Sequence, residues 1–144
     1  MSGIVCAIRG GPASRPTIDR SIQLAVETGL PLYFLYVVNL KFLAHTSSSR
    51  THFISKELNE MGEFILLSAQ TEAQMKGIET EGVVRQGAVR DEIVNLCKSV
   101  EAEFVILGKP KEENETRNVF NEDRLNEFEK RIEEESGAKI IMAY

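Results

Sequence analysis

Short apolar runs alternate with longer amphipathic stretches along the chain, and this alternation constrains the fold more than any other feature of the sequence. Each run has the length and apolar character of a buried strand. The stretches between the runs repeat apolar residues every three or four positions, which is typical of helices. We therefore predict the order β-α-β-α-β-α-β-α-β, in which right-handed crossovers place helices on both faces of a parallel sheet.

The pattern predicts five strands and four helices within one domain that spans residues 1–144. The strands are expected at Gly3–Arg9, Pro31–Val38, within Ile78–Gln86 (chiefly 81–85), Glu103–Leu107 and Lys139–Ala143. The helices are expected at Ser14–Thr28, Phe53–Lys76, Ala88–Glu101 and Asn121–Ser136. Two polar stretches, 39–52 and 109–120, are interpreted as loops.

Helical spacing also predicts which side chains face the core. The inward positions are Ile18, Ile22, Ala25 and Val26 in the first helix, Ile54, Leu58, Met61, Ile65 and Ala69 in the second, Val89, Ile93, Leu96, Cys97 and Val100 in the third, and Leu125, Phe128 and Ile132 in the fourth. Pro16 suits a first helical turn, and Gly29 lies where a C-terminal cap belongs.

Composition narrows the function classes. The formal net charge of −5 lies entirely in residues 111–135, which hold ten acidic and five basic residues, so a nucleic-acid duplex is not an expected partner. The apolar run 30–43 is too short to span a bilayer. Both cysteines, Cys6 and Cys97, fall within apolar segments and are interpreted as reduced core thiols. We therefore expect a cytoplasmic protein without a metal site; His45 and His52 are interpreted as residues of a solvated loop.

A ligand in a sheet of this kind binds beyond the carboxyl ends of the strands, where the strand order reverses. We expect the first strand to lie between the second and the fourth, in the order 3-2-1-4-5, so the loops after Arg9, Val38 and Gly108 would line one crevice. Basic residues fall in or near these loops: Arg9, Arg15, Arg90, Lys109 and Lys111. They indicate a small anionic ligand, and the alternative is that these cations are simply solvated.

Four stretches of the chain resemble the universal stress protein family. They are VCAIRGGPASRPTIDRSIQLA (5–25), PLYFLYVV (31–38), VVRQGAVRDEIVNLCKSVEAEFVILG (83–108) and KIIMA (139–143). Their order and spacing agree with the family, and the two polar loops do not match it. The resemblance implies a three-layer, doubly wound fold like that of the adenine nucleotide α-hydrolases, an adenine nucleotide (ATP or AMP) in the crevice, and a homodimer.

The resemblance also implies which residues would hold the nucleotide. Ala7, Ile8, Val37 and Leu107 correspond to the adenosine half of the pocket, and Gly10 belongs to the loop beside it. In ATP-binding members the loop after the fourth strand carries glycines whose amides wrap the phosphates. Here Gly108 is present, but Lys111 occupies the second glycine position and Asn121-Glu122 the closing Gly-Ser position. Arg9 stands where the family usually has an acidic residue.

Two functions therefore stay open. In the first, Arg9, Lys109 and Lys111 replace backbone amides with cations and hold a short phosphate such as that of AMP. In the second, nucleotide binding is lost and the domain is a dimeric interaction module. A third, less favoured hypothesis is an ATP-pyrophosphatase-like enzyme, because Gly10-Gly11-Pro12-Ala13-Ser14 partly resembles the loop of such enzymes. No catalytic residue is assigned.

The last predicted strand ends the sheet. Ile140, Ile141 and Met142 would leave an apolar edge exposed unless another strand pairs with it. We therefore expect a homodimer formed through the edge of strand 139–143.

Overall fold

The computed structural model describes residues 2–9, 14–39, 48–108 and 119–143, with the side chains of 48 and 119–126 left undescribed. Its strands are β1 (Gly3–Ala7), β2 (Leu32–Val38), β3 (Thr80–Gln86), β4 (Ala102–Gly108) and β5 (Lys139–Ala143). Its helices are α1 (Arg15–Thr28), α2 (Ser48–Met75), α3 (Val89–Val100) and α4 (Val119–Ser136). The predicted order of strands and helices is confirmed.

The five strands form one parallel sheet in the order β3-β2-β1-β4-β5. The predicted topology is therefore confirmed, with β1 between β2 and β4. The register places Ala7 beside Leu35 of β2, and Cys6 beside Ile106 of β4. Strand order reverses at β1, because the chain winds from β1 to β2 and β3 on one side and then crosses to β4 and β5 on the other.

Two apolar cores lie on the two faces of the sheet. Residues of α1 and α2 pack on one face against Ile4, Cys6 and Phe34. Residues of α3 and α4 pack on the other face against Val5, Leu35 and Val105. Because both faces are covered, β2 is apolar throughout, as expected from its sequence. The edge strand β3 is less buried and carries the polar residues Thr80, Glu81, Arg85 and Gln86.

The ends of the helices follow from local chemistry. Pro16 lies in the first turn of α1, where its missing N–H has no helical partner to lose. Gly29 adopts a left-handed conformation (φ 74°), and its N–H donates to the carbonyl of Ala25. Gly77 and Gly137 have the same conformation just beyond α2 and α4. These three glycines end the helices where the sequence predicted.

One boundary prediction was wrong. The stretch 39–52 was interpreted as a loop, but α2 begins at Ser48 and includes the last five of these residues. The helix has 28 residues and is therefore about 42 Å long. The side chain of Gln86, the last residue of β3, donates a hydrogen bond to Ser55 Oγ. Residues 48–54 consequently extend about 10 Å beyond the carboxyl end of β3.

Three inward-facing assignments were also wrong, because apolar residues occur on more than one face of each helix. Val26, Met61 and Val89 are exposed, whereas Leu24, Leu66, Ala73 and Val94 are buried. In α2 the buried face is formed by Leu66, Ala69 and Ala73. Gly62 belongs to this face, since a Cβ on Gly62 would stand 2.6 Å from the ring of Tyr36. Helix and sheet approach closely there, and that contact sets the rotation of the helix.

A side chain of α4 contacts the outer edge of β5. The backbone N–H of Ile140 donates to Glu133 Oε1 of α4 at 3.0 Å. This N–H therefore faces the carboxylate rather than the neighbouring strand β4. Within the described parts of the chain, no helix is long and apolar enough to cross a membrane.

Candidate functional site

The carboxyl ends of β1, β2 and β4 lie side by side and form the floor of the candidate site. Ala7 ends β1, while Val37 and Leu107 each stand one residue before the end of their strands. All three side chains belong to the core on the α3 and α4 face, with Ala7 and Val37 half-buried and Leu107 8 % exposed. The structure thus brings together three residues that the sequence assigned to an adenosine pocket.

Ile8 directly follows β1, but its side chain points to the opposite face of the sheet from that of Ala7. Its backbone N–H donates to the carbonyl of Leu35 at 2.8 Å. Its side chain is 4 % exposed and packs in the core beneath α1 and α2. Ile8 therefore fixes the end of β1 against β2, and its contribution to a ligand would come from its backbone.

Gly108 at the end of β4 makes a close contact with α1. A Cβ on Gly108 would stand 2.7 Å from Thr17 Oγ1, so a side chain there would force the hydroxyl to move. Thr17 lies in the first turn of α1 and is 2 % exposed. The contact holds the start of α1 beside the end of β4. The sequence did not indicate this role of Thr17, because a contact between residues about ninety positions apart leaves no local pattern.

The start of α1 is also more electropositive than the start of α3, which lies at the same edge of the sheet. Its first turn contains no acidic residue, and Ser14 makes no side-chain capping hydrogen bond to it. The first turn of α3, by contrast, contains Asp91 and Glu92. Free backbone N–H groups and the helix dipole favour an anion at an uncompensated N-terminus. The side of the site beside α1 therefore suits a negative group better than the side beside α3.

The basic residues that were predicted to surround the crevice differ in where they lie. Arg9 follows β1 and is exposed at the carboxyl edge of the sheet. Gly10, Lys109 and Lys111 lie outside the described residues. Arg90 is half-buried at the start of α3, with its Nε 3.7 Å from Asp91 Oδ1. That Nε is buried without a hydrogen-bond partner among the described residues. Arg9 and Arg90 are thus the described cations that remain candidates for an anion.

Arg15 is not one of the basic residues that face the crevice. Its guanidinium bonds Asp19 on the next turn of α1 and both carboxylate oxygens of Glu72 on α2, at 2.9 and 2.8 Å. The hydrogen bond from Arg15 lowers the pKa of Asp19 below its ordinary value. Both groups are largely exposed. Arg15 therefore joins the two helices instead of facing the crevice, which the sequence could not indicate because Glu72 is 57 residues away.

A surface groove of about 460 Å³ lies between α1 and α2. Its lining residues are Arg15, Asp19, Ile22, Gln23, Val26, Glu27, Glu72 and Lys76. The ion pairs of Arg15 with Asp19 and Glu72 cross this groove. The groove is explained by helix packing and is not the site predicted from the sequence.

The two cysteines have no place in the site. Both thiols are free and buried. Burial raises the pKa of each thiol to about 12, and a hydrogen bond with Ser21 acts weakly in the other direction at Cys6. A thiol with so high a pKa is a poor nucleophile at neutral pH. The interpretation of Cys97 as a core residue is confirmed. The described residues also hold no group of three or more potential metal ligands of the His, Cys, Asp and Glu types.

The fold and the floor of the site define a class: a doubly wound α/β domain with a crevice at the point where the strand order reverses. Residues 1–121 match the model of the universal stress protein family. Universal stress protein YxiE of Bacillus subtilis is 30% identical over 115 residues, which cover 73% of this chain and 76% of that protein. The chain belongs to the universal stress protein family.

Solved structures support the fold. The universal stress protein UspA of Lactobacillus plantarum superposes with a TM-score of 0.76 at 13% identity, covering 99% of this chain and 97% of the other. The dAMP complex of a universal stress protein from Archaeoglobus fulgidus has a TM-score of 0.63 at 16% identity, with 100% and 98% coverage. An AMP-bound family member from Arabidopsis thaliana has a TM-score of 0.62 at 13% identity, with 99% and 91% coverage.

Proposed function

We propose that this protein binds an adenine nucleotide with a short phosphate group, of the AMP class, at the carboxyl ends of β1 and β4, and that it acts as a cytoplasmic binding or signalling protein. The observation that carries the proposal is the convergence of Ala7, Val37 and Leu107 at the strand ends, together with the uncompensated start of α1, which the contact of Thr17 with Gly108 holds beside the end of β4. Apolar side chains suit the faces of a purine and ribose, and the helix terminus suits a phosphate.

The family supports the same ligand class. Family members of similar fold have been solved with dAMP and with AMP, and another with cAMP at a TM-score of 0.69 and 17% identity. Each of these ligands carries a single phosphate. In this chain, Lys111 stands where ATP-binding members place the second glycine of the phosphate loop. A long side chain at that position disfavours the close backbone approach that a triphosphate needs, so we rank AMP above ATP.

The phosphate would be held by cations and backbone amides together. Arg9 is exposed at the end of β1 and can orient a planar guanidinium toward a phosphate with two parallel hydrogen bonds. Arg90, half-buried at the start of α3, is the second candidate. The proposed role is reversible binding rather than a chemical reaction.

Isothermal titration calorimetry with AMP, ADP, ATP and GMP tests the proposal. We expect AMP to bind more tightly than ATP, and GMP to bind at least tenfold more weakly than AMP. Arg9→Ala should weaken AMP binding about tenfold, because it removes a charge-assisted pair with the phosphate. Arg20→Ala, which removes a half-buried arginine on α1, is the matched control and should leave the affinity unchanged.

Two results would contradict the proposal. The first is that millimolar AMP, ADP and ATP give neither binding heat nor a shift in thermal stability; the chain would then be better described as an interaction module without a nucleotide. The second is equal weakening by Arg9→Ala and Arg20→Ala, which would mean that Arg9 has no specific contact with the phosphate.

A further inference from the structure

Helix α2 is apolar on two opposite faces. Its inner face, with Leu66, Ala69 and Ala73, packs on the sheet. Its outer face carries five of the seven large apolar side chains that are exposed within the described parts of the chain: Phe53, Met61, Phe64, Leu67 and Met75. We call these five residues the outer stripe. Phe64 is 75% exposed and Met75 is 82% exposed, so the stripe is not part of the core of the chain.

The outer stripe is symmetric about Phe64. Met61 and Leu67 lie three residues before and after Phe64, and Phe53 and Met75 lie eleven residues before and after it. At 100° per residue, all five point within about 60° of the direction of Phe64. A pattern that reads the same from both ends is self-complementary when two copies of a helix meet in opposite directions.

We propose that a second copy of this chain docks on the outer stripe, with the two α2 helices antiparallel and related by a two-fold axis at Phe64. Each Phe64 then meets its counterpart. Met61 lies level with Leu67 of the second copy, about 4 Å along the helix from the axis, and Phe53 lies level with Met75 of the second copy, about 16 Å along. This surface is distinct from the β5 edge and independent of nucleotide binding.

The polar side chains within the stripe favour the antiparallel direction. At 100° per residue, Glu57 and Glu60 point within about 40° of the direction of Phe64, between the apolar members of the stripe. In that arrangement Glu57 lies level with Thr71 of the second copy, and Glu60 lies level with Ser68. Lys56 shares its level with Glu72, so no two carboxylates meet at one height. In a parallel pair each glutamate would lie level with its own copy, and like charges across a contact are destabilising.

The exposed area suits a dimer contact. A phenylalanine buries about 150–250 Å² when fully covered, so the two phenylalanines of the stripe, at 64% and 75% exposure, offer roughly 100–190 Å² each. Together the two phenylalanines offer roughly 200–350 Å² per copy. The two methionines and the leucine, at 47–82% exposure, add to this area. A stable interface buries about 800 Å² per partner, and the polar neighbours of the stripe supply the difference.

Cysteine cross-linking tests both the contact and its direction, since Cys6 and Cys97 are buried. Purified Phe64→Cys should form a covalent dimer under mild oxidation, because the axis brings the two thiols together. A mixture of Phe53→Cys and Met75→Cys should form the mixed dimer with a short bismaleimide. Each of these two variants alone should not cross-link, because its two copies would lie about 33 Å apart. Val26→Cys, which places an equally accessible thiol on α1, is the control.

Three outcomes would overturn the proposal. Phe64→Cys that cross-links no faster than Val26→Cys would show that the stripe does not meet itself. Phe53→Cys that cross-links alone as fast as the mixture would show a parallel or unrelated contact. A solution mass that is unchanged by Phe64→Glu, on a chain shown to be folded by circular dichroism, would show that the stripe does not contribute to assembly. The expected result for Phe64→Glu is loss of the α2-linked species.

Discussion

Gly108 shows how one residue links the floor of the site to a helix. Gly108 has only a hydrogen atom where other residues have a side chain. A methyl group in that place would stand 2.7 Å from the hydroxyl oxygen of Thr17. We expect Gly108→Ala to lower the free energy of unfolding by about 1–3 kcal/mol, because the buried hydroxyl must move within a packed core. Urea denaturation measures the loss.

A double-mutant cycle checks this explanation of Gly108. In a Thr17→Ala background the oxygen is absent, so Gly108→Ala should cost clearly less than in the natural chain. Equal costs in both backgrounds would contradict the contact as the cause. The result also bears on nucleotide binding, since the same contact holds the start of α1 beside the strand ends.

The buried thiols should make the protein less stable at alkaline pH. Each thiol has a pKa of about 12 in the folded chain, raised by burial from an ordinary value of 9.0. Above pH 9 the unfolded chain loses these protons and the folded chain keeps them, so the unfolded state becomes more favourable as the pH rises. Stability should therefore fall by about 1.4 kcal/mol per pH unit for each thiol between pH 9 and 12.

Comparison with Cys97→Ala isolates one thiol from the lysines and tyrosines that also titrate in this range. Unfolding free energies at pH 9.5 and 10.5 should differ less in Cys97→Ala than in the natural chain, by about 1.4 kcal/mol. Parallel pH profiles for the two proteins would mean that Cys97 ionises as easily in the folded chain as in the unfolded one.

At the scale of secondary structure, α2 offers a matched pair of neighbouring leucines. Leu66 is 2% exposed against the sheet, and Leu67 is 59% exposed on the outer stripe. Leu66→Ala should lower the free energy of unfolding by about 2–5 kcal/mol, because it leaves a cavity in the core. Leu67→Ala should change it by no more than about 0.5 kcal/mol.

Chemical denaturation of the two alanine variants at low protein concentration, where self-association is minimal, makes this comparison. Similar losses for both variants would mean that the two faces of α2 are equally covered. That result would also remove the premise of the outer stripe as a free surface.

The same helix shows where prediction from sequence fails. The alternation of runs predicted the number, order and type of the strands and helices, because each run has its own period, and Gly29, Gly77 and Gly137 marked the ends of α1, α2 and α4. The rotation of α2 could not be predicted, since Met61 and Leu66 are equally apolar and only the contact of Gly62 with Tyr36 decides between faces. For the site, Ala7, Val37 and Leu107 were predicted through strand ends and resemblance, whereas the pairing of Arg15 with Glu72 depends on a tertiary contact.

At the scale of the whole molecule, the sheet ends at β5, and we propose that this edge pairs with a second copy. The half-buried residues Ile140, Ile141 and Met142 lie on this last strand. The N–H of Ile140 is held by Glu133 and not by β4. Ile140→Pro should therefore spare the β4 contact, since proline is tolerated on the outer side of an edge strand. It removes the N–H that would leave Glu133 and donate to the second copy when the edges pair.

Light scattering at micromolar concentration tests this edge once the outer stripe is disabled by Phe64→Glu. The single variant Phe64→Glu should have twice the chain mass of 16.1 kDa, and the double variant with Ile140→Pro should have 16.1 kDa. A monomeric Phe64→Glu chain would contradict pairing through β5.

The length of α2 also shapes how a molecule reaches the crevice. Residues 48–54 extend about 10 Å past the last residue of β3. This first part of α2 therefore forms a wall of the crevice on the side of β2 and β3. Arg50 and His52 are exposed on that wall. A negatively charged molecule that diffuses toward the strand ends from this side passes a cation before it reaches the floor, so its capture rate should decrease with increasing ionic strength.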